Sequence, residues 1–160
     1  MPSFNAKRVT RNYTQTINAA PDIVFPLLCP VKEADWLEDW KYKMFYSDSG
    51  YAEENCVFAS LEPGEDDTIW MITKRDASAH EIEFVYFIPN IRVTRLLISV
   101  KAEPGSKSSV HITYIHTPIS EAGNSYTEKH NSDEAFTRQM KHWQDSMNYY
   151  LKTGRILAAN

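Results

Sequence analysis

The hydrophobic positions near the C-terminus recur every three or four residues. At about 3.6 residues per turn they fall within an arc of roughly 100° on one side of a helix. Asn131 can cap the start of this helix with Glu134 reaching back to it, and Gly154 can end it. The pattern therefore predicts one long amphipathic helix whose apolar stripe is Phe136, Met140, Trp143, Met147, Tyr150 and Leu151.

Before this helix, short runs rich in alternating polar and apolar residues are separated by clusters of Gly, Pro, Asp, Asn and Ser. Such runs are typical of strands joined by tight turns, and short turns favour antiparallel pairing. Two short helices are predicted after the first strand, one opened by Pro21 and ended by Pro30, and one over about 31–37. The predicted strands span 8–17, 41–47, 56–61, 68–75, 80–87, 91–102 and 107–117, and one of the turns spans 63–66.

This order of elements predicts a single domain of the α+β class over residues 1–160. Seven strands form a curved antiparallel sheet, two short helices follow the first strand, and the long C-terminal helix packs over the sheet. A straight helix touches the rims of a curved sheet more readily than its centre. We therefore expect a hollow between the two.

The sheet face assigned to this hollow is unusually aromatic. Several of its rings end in a hydroxyl group, whereas a sealed core favours aliphatic side chains because every buried hydroxyl needs a partner. This composition favours a small-molecule pocket over a filled core. Alternation places on this face Tyr42, Met44, Tyr46, Trp70, Ile72, Ile82, Phe84, Tyr86, Leu96, Ile98, Val100, Val110, Ile112, Tyr114 and His116.

Composition narrows the class of partner. The net charge is -4 without any basic block, which argues against nucleic acid, and no apolar run approaches the ~20 residues that span a bilayer. Cys29 and Cys56 offer no disulfide framework and are expected to be buried free thiols. Together with an N-terminal segment that lacks a secretory apolar region, they predict a cytoplasmic protein. The sequence does not indicate an oligomeric state.

Several segments together carry a resemblance to a known superfamily. They are Ala-Pro-Asp-Ile-Val-Phe-Pro-Leu-Leu-Cys-Pro-Val-Lys-Glu at 20–33, then Trp36, Trp40, Gly50 and Trp70, followed by 117–124 and 143–154. In this order they resemble the START-like superfamily (SRPBCC; polyketide cyclase/dehydrase and lipid-transport proteins), which has the helix-grip fold. The resemblance implies a deep cavity between the sheet and the C-terminal helix, entered near the short helices and hairpin tips. It implies no single activity, because the superfamily includes carriers, sensors and cyclases.

The alternation and the resemblance together predict a set of cavity residues. They come from the short helices, the inner face of the sheet and the helical stripe. The predicted set is Trp36, Trp40, Tyr42, Met44, Trp70, Ile82, Phe84, Tyr86, Leu96, Ile98, Ile112, Tyr114, His116, Phe136, Met140, Trp143 and Met147.

Candidate chemistry is sparse. His116, beside Tyr114, is the best candidate for proton transfer, although a hydrogen-bonded structural histidine is the favoured interpretation. No spacing typical of a metal site or a phosphate loop occurs, so neither a metal nor a cofactor is expected. Arg92 and Arg95 are three apart on one strand and face opposite ways, so at most one can meet an anionic ligand in the cavity.

An acidic cluster surrounds the two tryptophans of the short-helix region. It consists of Glu33, Asp35, Glu38 and Asp39. This cluster could gate the cavity or hold the polar end of a ligand. The favoured interpretation is that it is ordinary solvated surface.

The leading hypothesis is non-catalytic binding or transport of a small hydrophobic molecule, such as a lipid, an isoprenoid or an aromatic metabolite. Tyr86, Tyr114 and His116 would orient its polar end. One alternative is an enzyme of the polyketide cyclase, aromatase or dehydratase type in the same cavity, with His116 and a tyrosine moving protons. The other is a protein-interaction module whose cavity is vestigial.

Overall fold

The computed structural model describes residues 3–61 and 67–158. Its sheet has the strand order β1-β7-β6-β5-β4-β3-β2, and every neighbouring pair is antiparallel. The elements in chain order are β1 (Val9–Ile17), α1 (Pro21–Val24), a 3-10 helix (Phe25–Leu27), α2 (Pro30–Trp36), β2 (Tyr42–Tyr46), β3 (Val57–Ser60), β4 (Thr68–Asp76), β5 (Glu81–Ile88), β6 (Arg92–Glu103), β7 (Lys107–Pro118), α3 (Glu121–His130) and α4 (Asp133–Thr153).

The α+β class, the seven-stranded curved sheet and the long covering helix are confirmed. Every predicted strand boundary lies within one residue of the observed one. Gly154 ends α4 in the left-handed conformation, with φ of 71°, and its N–H donates to the carbonyl of Tyr150. The predicted turn at 63–66 lies outside the described residues.

Two details of the short helices differ from the prediction. The helix opened by Pro21 continues into the 3-10 helix, and Pro30 does not end it but is the first residue of α2. A proline suits this position because the first N–H groups of a helix have no partner within it. The three short segments therefore follow one another with hardly a break between β1 and β2.

Helix α3 is an element that the sequence did not predict. Ser120 caps its start by accepting a hydrogen bond from the N–H of Gly123 at 2.9 Å. Its C-terminal cap is Asn131, which had been predicted to cap the long helix. That role belongs to Ser132, whose hydroxyl accepts from the N–H of Ala135 at 3.2 Å.

One residue of the predicted inner face points outward. The pairing of β2 with β3 shifts register between Met44 and Tyr46, and this irregularity turns Tyr46 to the solvent, where its side chain is 62% exposed. Its hydroxyl donates to Asp48 at 2.6 Å. The prediction of Tyr46 on the inner face was therefore wrong.

Helix α4 is joined to the edge strand β1 by a seam of polar contacts. The buried Gln15 donates from Nε2 to the carbonyl of Met140 at 2.9 Å. Asn148 accepts from the N–H of Asn18 at 2.8 Å and donates to the carbonyl of Thr16 at 3.0 Å. The seam fixes the position of the helix along one flank of the sheet.

No helix within the described residues is both long enough and apolar enough to cross a membrane.

Candidate functional site

A cavity of about 580 Å³ lies between the sheet and the N-terminal half of α4. Strands β3 to β7, helix α3 and the segment that follows α2 complete its wall. Buried residues form its inner end, whereas Asp39, His130 and Gln139 are exposed and mark its opening to solvent. The cavity therefore opens to solvent on this side of the helix.

Six of the predicted cavity residues lie on this wall, and all six are aromatic. The rings of Trp70 and Tyr86 are 4.0 Å apart at their centroids, and Trp70 meets Trp40 edge-on at 6.5 Å. Aromatic rings provide a large apolar surface with few rotatable bonds, which suits a site for a flat apolar molecule. The six are Trp40, Trp70, Tyr86, Tyr114, Phe136 and Trp143.

The remaining predicted residues do not line the cavity. Tyr42 and Met44 on β2 are half-buried away from the cavity. Packed into the core instead are Trp36, Ile82, Phe84, Leu96, Ile98, Ile112, His116, Met140 and Met147.

Arg92 lies at the inner end of the cavity and is 5% exposed. Its Nη1 donates to the side-chain oxygen of Asn131, and its guanidinium carbon lies 5.2 Å from the centre of the Tyr126 ring. The Nε atom is buried and has no hydrogen-bond partner among the described residues. Arg95 faces the other side of the sheet and pairs there with Glu83. The prediction that at most one of the two arginines enters the cavity is confirmed.

Two tyrosine hydroxyl groups flank this arginine. Burial raises the pKa of Tyr86, and the opposing effects of the Arg92 charge and of hydrogen bonds to Thr94 and Arg92 are smaller. Burial also raises the pKa of Tyr114 well above its usual value, with Tyr86 and Glu33 adding to the rise. Both phenols are therefore neutral near pH 7 and can donate or accept a hydrogen bond to a ligand.

His116 is fully buried and does not reach the cavity wall. Its ring stacks on that of Tyr114 at 5.4 Å, and its Nε2 atom has no partner among the described residues. Burial, reinforced by the positive charges of Arg92 and Arg11, lowers the pKa of this histidine to about 3. The candidate acid-base residue is thus a neutral core histidine without contact to the cavity, because Tyr114 lies on the wall in its place.

The acidic cluster divides between core and surface. Glu33 is only 8% exposed, and burial raises its pKa to about 8. Asp35 is exposed, while Glu38 and Asp39 lie on the cavity wall. The expectation of solvated surface was wrong for Glu33. The sequence did contain a sign that Glu33 is buried. It lies three residues from both Pro30 and Trp36, which places all three on the same face of the helix, and that face is buried.

The sequence analysis missed most of the polar residues of the wall. The polar residues not predicted for the cavity are Ser60 and Thr68 on strands and Tyr126, His130, Asn131, Gln139 and His142 on or beside α3 and α4, where no alternation pattern was available. The wall also includes Arg92, Glu38, Asp39 and the apolar side chains of Leu37, Ile88 and Ala135.

A second, smaller pocket of about 250 Å³ lies beside Cys29, whose sulfur accepts a hydrogen bond from the N–H of Ala52 at 3.3 Å. Cys29 and Cys56 are both buried free thiols, as predicted. Within residues 3–61 and 67–158, no group of three or more His, Cys, Asp or Glu side chains is arranged to hold a metal ion.

The sequence matches no protein-family model and no curated protein. Its structure is nevertheless similar to solved ones. A norcoclaurine synthase variant from Thalictrum flavum, bound to a transition-state analogue, superposes with a TM-score of 0.69 at 10% identity, covering 94% of this chain and 98% of that one. The Zhui aromatase/cyclase from Streptomyces sp. R1128 gives 0.68 at 12% identity, covering 91% and 94%.

A third similar structure, that of Ara h 8.0201, superposes with a TM-score of 0.64 at 12% identity, covering 91% of this chain and 99% of that one. At such identities the similarity is one of fold. It agrees with the helix-grip fold that the sequence resemblance implied.

Proposed function

We propose that this protein, which has the START-like helix-grip fold, binds a small and largely apolar molecule in the cavity under the N-terminal half of α4. The observation that carries the proposal is an open cavity of about 580 Å³ with six aromatic side chains on its wall. Pockets for small molecules typically have volumes of about 300–1,000 Å³ and combine apolar walls with a few polar groups. Here Tyr86, Tyr114 and Arg92 supply the polar groups at the inner end.

A protein-interaction module with a vestigial cavity fits this geometry less well. Such a module has no need of an open space walled by aromatic side chains, and selection for stability would fill it. An open space of this size forgoes packing contacts and so costs stability, which makes its presence better explained by a ligand.

Catalysis in the same cavity is the second candidate function. The names of two similar structures, a synthase and an aromatase/cyclase, are those of enzymes. In this chain, however, the pKa values of both wall tyrosines are raised and that of His116 is lowered, so none of the three exchanges protons readily near pH 7. Binding without proton transfer therefore needs fewer assumptions.

The proposal is tested with the uncharged fluorescent probe N-phenyl-1-naphthylamine. We expect saturable fluorescence enhancement by the wild type and displacement by non-fluorescent aromatic or isoprenoid competitors. Tyr86→Ala should weaken binding, whereas Phe87→Ala, the next residue on β5, is exposed on the opposite sheet face and should not. Equal effects of the two substitutions, or no displaceable binding at all, would count against the proposal.

Mass spectrometry of the protein purified under native conditions provides a second readout. A co-purifying molecule would give the ligand class, and turnover of that molecule by the purified protein would favour the catalytic alternative over simple binding.

A further inference from the structure

The inner end of the cavity holds a positive charge for which the described residues supply no ion-pair partner. Arg92 is the only lysine or arginine among the described wall residues, and no carboxylate within residues 3–61 and 67–158 lies within ion-pair distance of it. A buried cation without a counter-ion is costly, and a neutral amide such as Asn131 offsets only part of that cost. The missing anion is the central observation.

The surrounding side chains, Asn131 and the hydrogen-bonded Tyr86 among them, hold the guanidinium in place without giving it a counter-charge. Asn131 accepts from Nη1, and its own carbonyl accepts from Nε of Arg11 at 2.9 Å, which fixes this residue between α3 and α4. The ring of Tyr126 lies against the guanidinium carbon. With Nη1 engaged, the buried Nε atom, which has no partner among the described residues, is the donor left for an anionic oxygen of a ligand.

Nearby acidic groups do not supply the anion. Burial raises the pKa of Glu33 to about 8, so this carboxyl group is mostly protonated at pH 7. Glu38 and Asp39 lie on the wall next to the mouth. The charge along the cavity therefore changes from acidic at the opening to positive at the inner end.

We infer that the ligand carries a single carboxylate group, which binds to the guanidinium of Arg92 with the Tyr86 hydroxyl as a second donor, while its apolar body lies among the aromatic side chains. This inference rests on the proposed binding function and gives the ligand its chemical class, an aromatic or polycyclic monocarboxylic acid. The acid group points inward, because the acidic residues at the mouth repel it. Arginine suits this role because its planar donors match both oxygens of a carboxylate.

The inference is tested with two competitors of the same shape, 1-naphthaleneacetate and 1-naphthaleneacetamide, each displacing N-phenyl-1-naphthylamine. The wild type should prefer the carboxylate over the amide by about 10-fold or more. Arg92→Met should abolish this preference, which is measured as the ratio of the two competitors' affinities within the same variant and so does not depend on how strongly that variant binds the probe. Arg92→Lys keeps the charge without the planar donors and should retain only part of the preference.

Arg95→Met is the matched control, since Arg95 lies on the same strand but on the outer face, paired with Glu83. It should keep the full wild-type preference. An equal affinity of the wild type for carboxylate and amide would overturn the inference even if no Arg92 variant folds, and so would a preference that survives Arg92→Met. Failure of the wild type to bind the uncharged probe would instead contradict the proposed function itself.

Discussion

Thr94 and His116 face each other across β6 and β7, and the Thr94 hydroxyl oxygen lies 2.8 Å from Nδ1 of the histidine. Both residues are fully buried. This pair lies behind the cavity wall and gives the histidine a hydrogen-bond partner but no counter-charge. The arrangement stabilises the neutral ring and disfavours the imidazolium ion.

The first prediction concerns stability in mild acid. The pKa of His116 is about 3 in the folded protein and 6.5 ordinarily, so the unfolded chain binds a proton in this window that the folded protein does not. Stability therefore falls as the pH drops from 6.5 towards 3, with a contribution of up to about 1.4 kcal/mol per pH unit. Urea unfolding at a series of pH values gives the free energy of unfolding of the wild type and of His116→Gln. The difference between the two proteins should be constant above pH 6.5 and change below it. A difference that stays constant down to pH 4 would contradict a neutral, buried His116 in the folded protein.

The second prediction concerns Glu33, which makes the protein less stable as the pH rises, whereas His116 does so as the pH falls. The pKa of Glu33 is about 8 when folded and 4.5 ordinarily, so the folded protein keeps a proton that the unfolded chain releases between these values. Stability contributed by this proton is lost as the pH rises from 4.5 to about 8. Glu33→Gln should therefore be more stable than the wild type at pH 8, by roughly 2–4 kcal/mol. The same urea experiment checks this, and a less stable variant at pH 8 would mean that the carboxylate has a partner.

The third prediction contrasts two tryptophans that contact each other edge-on at 6.0 Å. Trp36 is fully buried and donates from its indole N–H to the carbonyl of Leu27, so Trp36→Ala should cost about 3–5 kcal/mol. Trp143 is half-buried and lies on the cavity wall, so Trp143→Ala should cost only about 1–2 kcal/mol but weaken probe binding. Thermal unfolding and the fluorescence titration measure the two effects. A stability loss for Trp143→Ala as large as that of Trp36→Ala would make its ring part of the core.

The fourth prediction concerns the close approach of α3 to the turn between β5 and β6. A Cβ atom on Gly123 would lie 1.9 Å from the carbonyl oxygen of Ile91, which is too close for any side chain. Gly123→Ala should destabilise the protein by about 2–4 kcal/mol and displace α3, together with its wall residues Tyr126 and His130. Probe affinity should fall as well. Ser125→Ala, at an exposed position of the same helix, should change neither quantity.

The sheet could be predicted closely because its signals are local. Turn residues bound each strand, and β5 alternates strictly between buried and half-buried positions over Glu81–Tyr86. Helix α3 could not be predicted in this way, because its buried residues Gly123, Asn124 and Thr127 are small or polar and form no hydrophobic stripe. Its contacts are polar instead, with Asn124 accepting from the N–H of Lys7 at 3.0 Å.

The candidate site was predictable only in part. Alternation identified the rings on the inner face, but it gave no information about where along the sheet the helix makes contact, and that contact separates wall residues from core residues. Alternation also placed Arg95 on the outer face of the sheet, where it pairs with Glu83, so Arg92 was the arginine that could enter the cavity. Its burial at the inner end, beside Asn131 and Tyr126, depends on α3 and could not be predicted.

The polar seam between β1 and α4 has a mechanical consequence. Hydrogen bonds join Gln15, Thr16 and Asn18 to one side of the long helix and fix its distance from the edge strand there. Any widening of the space under the helix would therefore have to occur on the side away from β1.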